Sequence, residues 1–317
     1  MIKVENLTRT FGPKVAVNDI SFSVERGEVL GFLGPNGAGK STTMRMITGF
    51  IPPTSGRISV GGHDVVEAPI AAKRLLGYLP ENAPSYTDMT VLGFLGFIAD
   101  LRALKGPAKK EALDRVIDAC FLGGVVHQSV DTLSKGYRHR FAQAILHDPD
   151  VLIMDEPTDG VDPNQKHEVR TLIKRMGEKK AIIFSTHILE EVEAVCSRAI
   201  IIDRGSIVAN GTPAELKLKG DHAGIIVVRV TGPAAEGARH KLEQLGPVRR
   251  VSVVTQTPQA AQFRVASRSG DQAGATLAAV ADLVAREGWR IEELRAEEGR
   301  LDEVFRSLTL PDTKARN

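Results

Sequence analysis

Cysteine is scarce in this chain. Two in 317 residues, Cys120 and Cys196, are too few and too far apart for a disulfide framework or a cysteine-based metal cluster. Each lies in a helix-patterned stretch, where a buried thiol is the default, so a reducing, cytosolic compartment is expected. Charge of one sign is also lacking. Lys and Arg number 41 against 39 Asp and Glu, a net charge of +2, which gives no footprint for a nucleic-acid backbone or a charged membrane surface. No apolar run approaches the roughly 20 residues that span a bilayer. The run Val91-Leu-Gly-Phe-Leu-Gly-Phe-Ile98 is too short, and Met1-Ile-Lys-Val-Glu5 opens a strand-like segment without a signal-peptide pattern. Any action at a membrane is therefore expected to run through docking on another protein. Short-period repeats and low-complexity tracts are missing too. What remains is a 42% apolar chain with room for one large domain or two.

The richest segment is Gly34-Pro-Asn-Gly-Ala-Gly-Lys-Ser-Thr42, which contains G-x-x-x-x-G-K-[ST]. A buried-strand pattern, Glu28–Leu33, precedes it, and Thr42–Ile47 reads as the start of a helix. That context fits a phosphate-binding loop. Gly34, Gly37 and Gly39 let the backbone turn tightly and aim N–H groups at phosphate oxygens, with Pro35, Asn36, Ala38 and Thr42 completing the cradle. The helix N-terminus adds partial positive charge. Lys40 can reach the β- and γ-phosphates, and Ser41 can hold Mg²⁺. The bland alternative, a glycine-rich turn before an ordinary helix, does not account for the lysine and hydroxyl in register.

Hydrophobic periodicity divides the chain. Up to about residue 62, strand-like runs alternate with glycine turns. From about 86 to 147 the helical period dominates, as in the amphipathic segment Ala108–Ala119. From about 150 to 212 short β-branched runs return: Val151–Met154, Ala181–Phe184 and Ala199–Ile202. Apolar strands separated by helices imply an α/β fold with a parallel sheet covered on both faces. The character changes after about 218, giving expected domains at 1–218 and 219–317. The second reads as strand 225–231, helix 234–245, strands 248–254 and 261–267, helix 272–287, strand 289–297 and helix 300–308. That α+β order is the split-βαβ pattern.

Two further motifs carry chemistry. Val151-Leu-Ile-Met-Asp-Glu-Pro157 is an apolar strand ending in adjacent carboxylates. Beside a phosphate loop, Asp155 would reach Mg²⁺ and Glu156 would sit at the γ-phosphate, where it can polarise an attacking water. Taken alone, the pair merely marks a strand end. Leu133-Ser-Lys-Gly-Tyr137 precedes the helical pattern 138–146. Ser134 fits as its N-cap, and a helix N-terminus with a hydroxyl and a glycine is also a second phosphate site.

Taken in order, these motifs resemble the ATP-binding-cassette (ABC) family over residues 1 to about 215. Phe11-Gly12 is similar to the aromatic that stacks on adenine, Gly77-Tyr-Leu-Pro-Glu81 to the Q-loop, LSKGY to the signature, Asp159-Gly-Val-Asp162 to the D-loop, and Ser185-Thr-His187 to the switch histidine. The resemblance implies a P-loop NTPase cassette with a sheet core and a helical subdomain, binding ATP and Mg²⁺. Two copies would pack head to tail around two ATP molecules. Ser134 and Gly136 would contact the γ-phosphate in trans, His187 would sense it, and Asp162 would communicate across the dimer. Mg²⁺ ligation would fall to Ser41, Asp155 and Glu81.

This chain departs from the family pattern at three positions. Glu81 replaces the glutamine, which keeps an oxygen ligand but loses an amide donor. Lys135 and Tyr137 stand where many members carry glycine and glutamine. Pro-Glu with Ser-Lys-Gly, and the C-terminal segment Leu301–Thr309, resemble the branch serving ABC-2 type exporters, within it the gliding-motility and multidrug- or antibiotic-export ATPases. The implied function is an ATP-hydrolysing subunit, peripheral on the cytoplasmic face of the membrane, that drives a separate ABC-2 type permease. The permease would dock in a groove walled by Glu81–Thr90 and the helix from Val91. Residues 219–317 would brace a dimer or regulate it. Two other readings stay open: a soluble ABC ATPase acting on nucleic acid or ribosomes, and an importer ATPase subunit. The single motif set, the absence of long heptads and the near-neutral charge speak against the first, and nucleic acid is not an expected partner.

Overall fold

The computed structural model describes the chain except residues 83–85, 87, 134–136, 221–223, 232–236, 258–259, 269–272, 298 and 310–317. The chain folds into two compact units, Met1–Thr212 and Pro213–Asn317.

In the first unit the elements run β1 (Ile2–Phe11), β2 (Lys14–Val24), β3 (Val29–Leu33), α1 (Lys40–Ile47), β4 (Ser55–Val60), β5 (His63–Asp64), α2 (Pro69–Leu75), β6 (Leu76–Leu79), α3 (Val91–Leu101), α4 (Gly106–Ala119), α5 (Tyr137–Ile145), β7 (Val151–Asp155), α6 (Pro163–Gly177), β8 (Ala181–Thr186), α7 (Leu189–Val195), β9 (Arg198–Asp203) and β10 (Ser206–Gly211). Two sheets form. One is antiparallel in the order β2-β1-β4-β5; the other has the order β10-β9-β3-β8-β7-β6. In the second, β9, β3, β8, β7 and β6 are parallel and β10 is an antiparallel edge. The parallel arrangement expected from the apolar runs is present. Every residue of β3, β7 and β8 is buried, which is why those strands read as continuous apolar segments rather than as alternations.

One hydrophobic cluster lies between the two sheets, drawing Ile2, Leu7, Phe32, Met44, Ile58 and Ile153 among others. A second joins the opposite face of the parallel sheet to the helical subdomain, with Phe94, Leu95, Val116, Phe141 and Leu146 packed with Met154, Phe184 and Val169. The two faces of β7 thus feed two cores, and its C-terminal end is left to carry polar groups. Helix α1 starts at Lys40, two residues earlier than the sequence pattern indicates, because Gly39 caps it in the left-handed region, φ +109°. A Cβ at Gly39 would lie 2.6 Å from the Ala16 carbonyl oxygen, so glycine is required there on both counts.

The second unit contains α8 (Pro213–Lys217), β11 (Ile225–Thr231), α9 (Ala238–Glu243), β12 (Val248–Gln256), β13 (Ala260–Ser267), α10 (Ala273–Glu287), β14 (Arg290–Ala296) and α11 (Leu301–Leu308). Its sheet has the order β12-β13-β11-β14, antiparallel throughout. This is the split-βαβ topology that the element order suggested. Helix α9 is shorter than the expected 234–245, whose first residues fall outside those described. Strand β13 alternates strictly, with Ala261, Phe263 and Val265 inward among Val228, Leu242, Val280 and Val284.

Candidate functional site

The site lies in the first unit, at the C-terminal ends of β3, β7 and β8. The loop from Gly34 to Gly39 leads from β3 into α1 and bounds a cleft of about 420 Å³. Phe11, Lys14, Pro35, Asn36, Gly37, Gly39, Lys40, Ser41, Thr42, Glu81, Glu156, Asp159 and His187 line it. Gly37 has φ +80° and nothing within 4 Å of where a Cβ would project, so backbone alone faces the cleft there. Two of the expected loop residues turn away. Gly34 is buried and contributes its carbonyl, which accepts a hydrogen bond from Lys40 Nζ at 2.7 Å. Ala38 donates its N–H to the Pro35 carbonyl at 3.2 Å and packs its methyl into the core.

Lys40 is only 6% exposed, and its Nζ also lies 3.4 Å from Glu156 Oε1. Glu156 Oε2 lies 3.0 Å from His187 Nδ1. An ionised carboxylate only accepts, so the hydrogen of that pair sits on Nδ1. Asp155, 1% exposed, accepts from Ser41 Oγ at 3.1 Å and from Ser185 Oγ at 2.5 Å. Ser185 Oγ in turn accepts the Glu156 N–H at 3.0 Å. One serine on β8 therefore holds the Asp155 carboxylate and the Glu156 backbone at the end of β7, an arrangement allowed by the register Asp155↔Ser185. Glu156 itself has φ +48°, a left-handed conformation that costs a non-glycine residue about 1–2 kcal/mol. Nearby on β6, burial foremost and then the charge of Asp155 push the Tyr78 phenol up to about 12, so it stays protonated.

At the rim, Phe11 is 46% exposed, and the Arg9 guanidinium stands 4.6 Å from its ring centroid. That cation–π contact fixes one face of a platform that a planar base could use. Asp162 does not line the cleft: it N-caps α6, accepting the Gln165 N–H at 3.0 Å. Ser134 and Gly136 lie outside the described residues. The sequence reading overlooked Ser185 as a positioning group and Asp159 as a cleft residue. Strand register brings Ser185 to Asp155, and a single sequence does not display register.

The donor set suits a nucleotide triphosphate with Mg²⁺. Among the described residues no group of three or more His, Cys, Asp or Glu could hold a metal alone. Ser41 and Asp155 supply two oxygens side by side, and Mg²⁺ is commonly held by one or two carboxylates together with phosphates and water. Glu81 lines the same cleft and can add a third.

A profile of the family described as "ABC transporter" matches residues 17–159. The linearmycin resistance ATP-binding protein LnrL of Bacillus subtilis is 39% identical over 238 residues, spanning 73% of this chain and 76% of LnrL. The chain belongs to the ABC transporter ATP-binding family. The probable multidrug ABC transporter ATP-binding protein YbhF of Escherichia coli is 39% identical over 220 residues, 68% of this chain, but the match spans only 38% of YbhF's length. Among solved structures, an ATP-binding subunit of an ABC transporter superposes with a TM-score of 0.63 at 29% identity, covering 68% of this chain and 92% of that one. The dimeric bacterial ABC transporter cassette MJ0796 shares the fold, with a TM-score of 0.62 at 20% identity over 67% of this chain and 99% of the cassette. Gly34–Thr42 fits the family's Walker A pattern, and Asp155-Glu156 fits the end of its Walker B strand. The ABC cassette of this chain thus has Lys40, Ser41, Asp155, Glu156 and His187 gathered at one end of its parallel sheet.

Proposed function

We propose that this chain hydrolyses ATP as one half of a cassette dimer and powers a separate ABC-2 type permease, in the direction of export. The observation that carries the reading is Glu156, held between Lys40 and His187 beside the Ser41–Asp155 pair. Lys40 binds the β- and γ-phosphates, and the backbone around Gly37 lets them approach closely. Phe11 offers its ring to adenine. Ser41 and Asp155, with Glu81 beside them, would hold Mg²⁺, whose charge would offset the negative charge that builds up on the leaving group. A water oxygen then bonds to the γ-phosphorus as the bond to the bridging oxygen breaks. Glu156 accepts a water proton, and ADP and phosphate result. His187 already donates Nδ1–H to Glu156; contact between its Nε2 and a phosphate oxygen requires a hydrogen on both nitrogens. That contact would link the γ-phosphate to the end of β8.

Dimerisation around two ATP molecules, with Ser134, Gly136 and Asp162 acting across the interface, follows from the family pattern; the dimeric cassette MJ0796 supports it as a fold-level precedent. Release of phosphate would open the dimer, a rigid-body change set by one ligand group. For permease docking, the 81–90 segment and α3 (Val91–Leu101) are favoured. Tyr86, 60% exposed, meets Phe97 edge-on at 5.5 Å and so presents an aromatic rim. Among the described residues no helix is long and apolar enough to cross a membrane. The chain would meet the membrane through its permease, as a peripheral subunit on the cytoplasmic face. The names of LnrL and YbhF, resistance and multidrug proteins, favour export over import.

Glu156→Gln, tagged, saturated with Mg·ATP and pulled down from detergent-solubilised membranes, tests the reading. A polytopic membrane protein in near-equal amount is expected. Recovery of ribosomes or nucleic acid instead would overturn it in favour of a soluble ABC ATPase.

A further inference from the structure

Behind the catalytic carboxylate lies a buried acid that the scheme above does not use. Glu191, in α7, is 1% exposed. Its Oε2 accepts from Thr186 Oγ1 at 2.8 Å, and its Oε1 accepts a short hydrogen bond from Thr158 Oγ1. Arg170 of α6 brings its guanidinium to 3.8 Å from Oε1. The two hydroxyls are not equivalent. Thr186 Oγ1 also accepts the Ile188 N–H at 3.0 Å, so its own hydrogen must go to Glu191. Thr186 directly precedes His187, and Thr158 lies two residues beyond Glu156, in the loop that carries Asp159 and leads to α6. One carboxylate therefore ties together the two segments that present Glu156 and His187. Burying an acid is costly unless every oxygen is matched, and here both are.

We infer that Glu191 is a positioning residue for hydrolysis: it clamps the Thr158 and Thr186 segments so that Glu156 and His187 keep their mutual geometry at the γ-phosphate. This rests on the ATPase reading above. A displacement of about 1 Å in such a group lowers the rate by about 10²-fold while leaving distant binding contacts alone. The phosphate-loop contacts of Lys40 and Ser41, and the base platform at Phe11, do not involve Glu191. Loss of the clamp therefore acts on kcat and not on ADP affinity.

The test compares steady-state ATP hydrolysis, ADP affinity by equilibrium titration and thermal midpoint in the wild-type chain, Glu191→Ala, Glu191→Gln and Thr158→Val/Thr186→Val. Glu191→Ala is expected to lower kcat about 10- to 100-fold with ADP affinity within about threefold. Glu191→Gln is expected to recover part of kcat. Its oxygen can take the Thr186 hydrogen, and its amide can donate to Thr158, whose hydroxyl can rotate to accept. Adding Glu191→Ala to the double valine variant is expected to cost less than it does in the wild type, because the residues act as one unit. The inference is overturned if Glu191→Ala keeps kcat within about twofold of wild type. It is equally overturned if kcat, ADP affinity and thermal midpoint fall together with Gln no better than Ala, which marks a residue needed only for folding. A wild-type chain that binds ADP but does not hydrolyse ATP would instead refute the ATPase reading itself.

Discussion

The parallel sheet of the first unit and the antiparallel sheet of the second handle polar groups in opposite ways. In β7 and β8 every side chain is buried, so charge is confined to strand ends, and the ends of β3, β7 and β8 converge on the cleft. Among the described residues of the second unit, one sheet face packs against α9 and α10. The other spreads its charges along the strands in pairs such as Arg229–Glu292 and Arg264–Glu297. A doubly covered sheet concentrates charged chemistry at one edge. A singly covered sheet disperses it over a wet surface where each pair is worth little.

This contrast can be broken at four points. Glu156→Gln should lower kcat by at least about 10²-fold and leave ATP affinity nearly unchanged, since a general base contributes about 10²–10⁴; single-turnover hydrolysis and nucleotide titration read both. In the second unit, Phe263→Ala should destabilise by about 3–5 kcal/mol through the cavity left among Val228, Leu242 and Val280, with nucleotide affinity retained. Urea unfolding followed in that unit, beside an ADP titration, measures it.

His147 supplies the third test. Burial, then the Arg102 charge, hold its imidazole down at about 4, and Nε2 bonds the Leu76 carbonyl at 2.9 Å. The native ring stays neutral where the unfolded ring, near its ordinary 6.5, would be protonated. Between those values the unfolded chain binds more protons, so stability falls as the pH is lowered from about 6.5 to about 4. His147→Gln, which can still donate to Leu76, should flatten that part of the thermal-midpoint profile. The smallest effect is expected at Arg264→Ala: a partly exposed pair with Glu297 is worth at most about 1 kcal/mol, and added salt should erase the difference.

Legibility in the sequence followed the same division. The phosphate loop and the Asp155-Glu156 strand end were readable because both are short, contiguous and chemically unusual. The strands of the second unit were readable because period-2 alternation, as in β13, marks a half-buried sheet. Ser185 was not, because its role depends on pairing with a strand 30 residues away in sequence. Glu191 was not either: in the run Leu189-Glu-Glu-Val192 it looks like any acid on an exposed helix face, and only folding buries it against two threonines. The alternation of burial within α7 reflects which face meets Thr158 and Thr186, and that face is set by tertiary packing.

The left-handed backbone at Glu156 has a consequence for laboratory evolution. Glycine or asparagine at that position would relieve a conformation that glutamate tolerates only at some cost. A selection for heat resistance alone would therefore reward replacements there, and the survivors would be sturdier proteins without a working base. Stability and turnover compete at a single residue, so any campaign to harden this cassette must score hydrolysis in the same round.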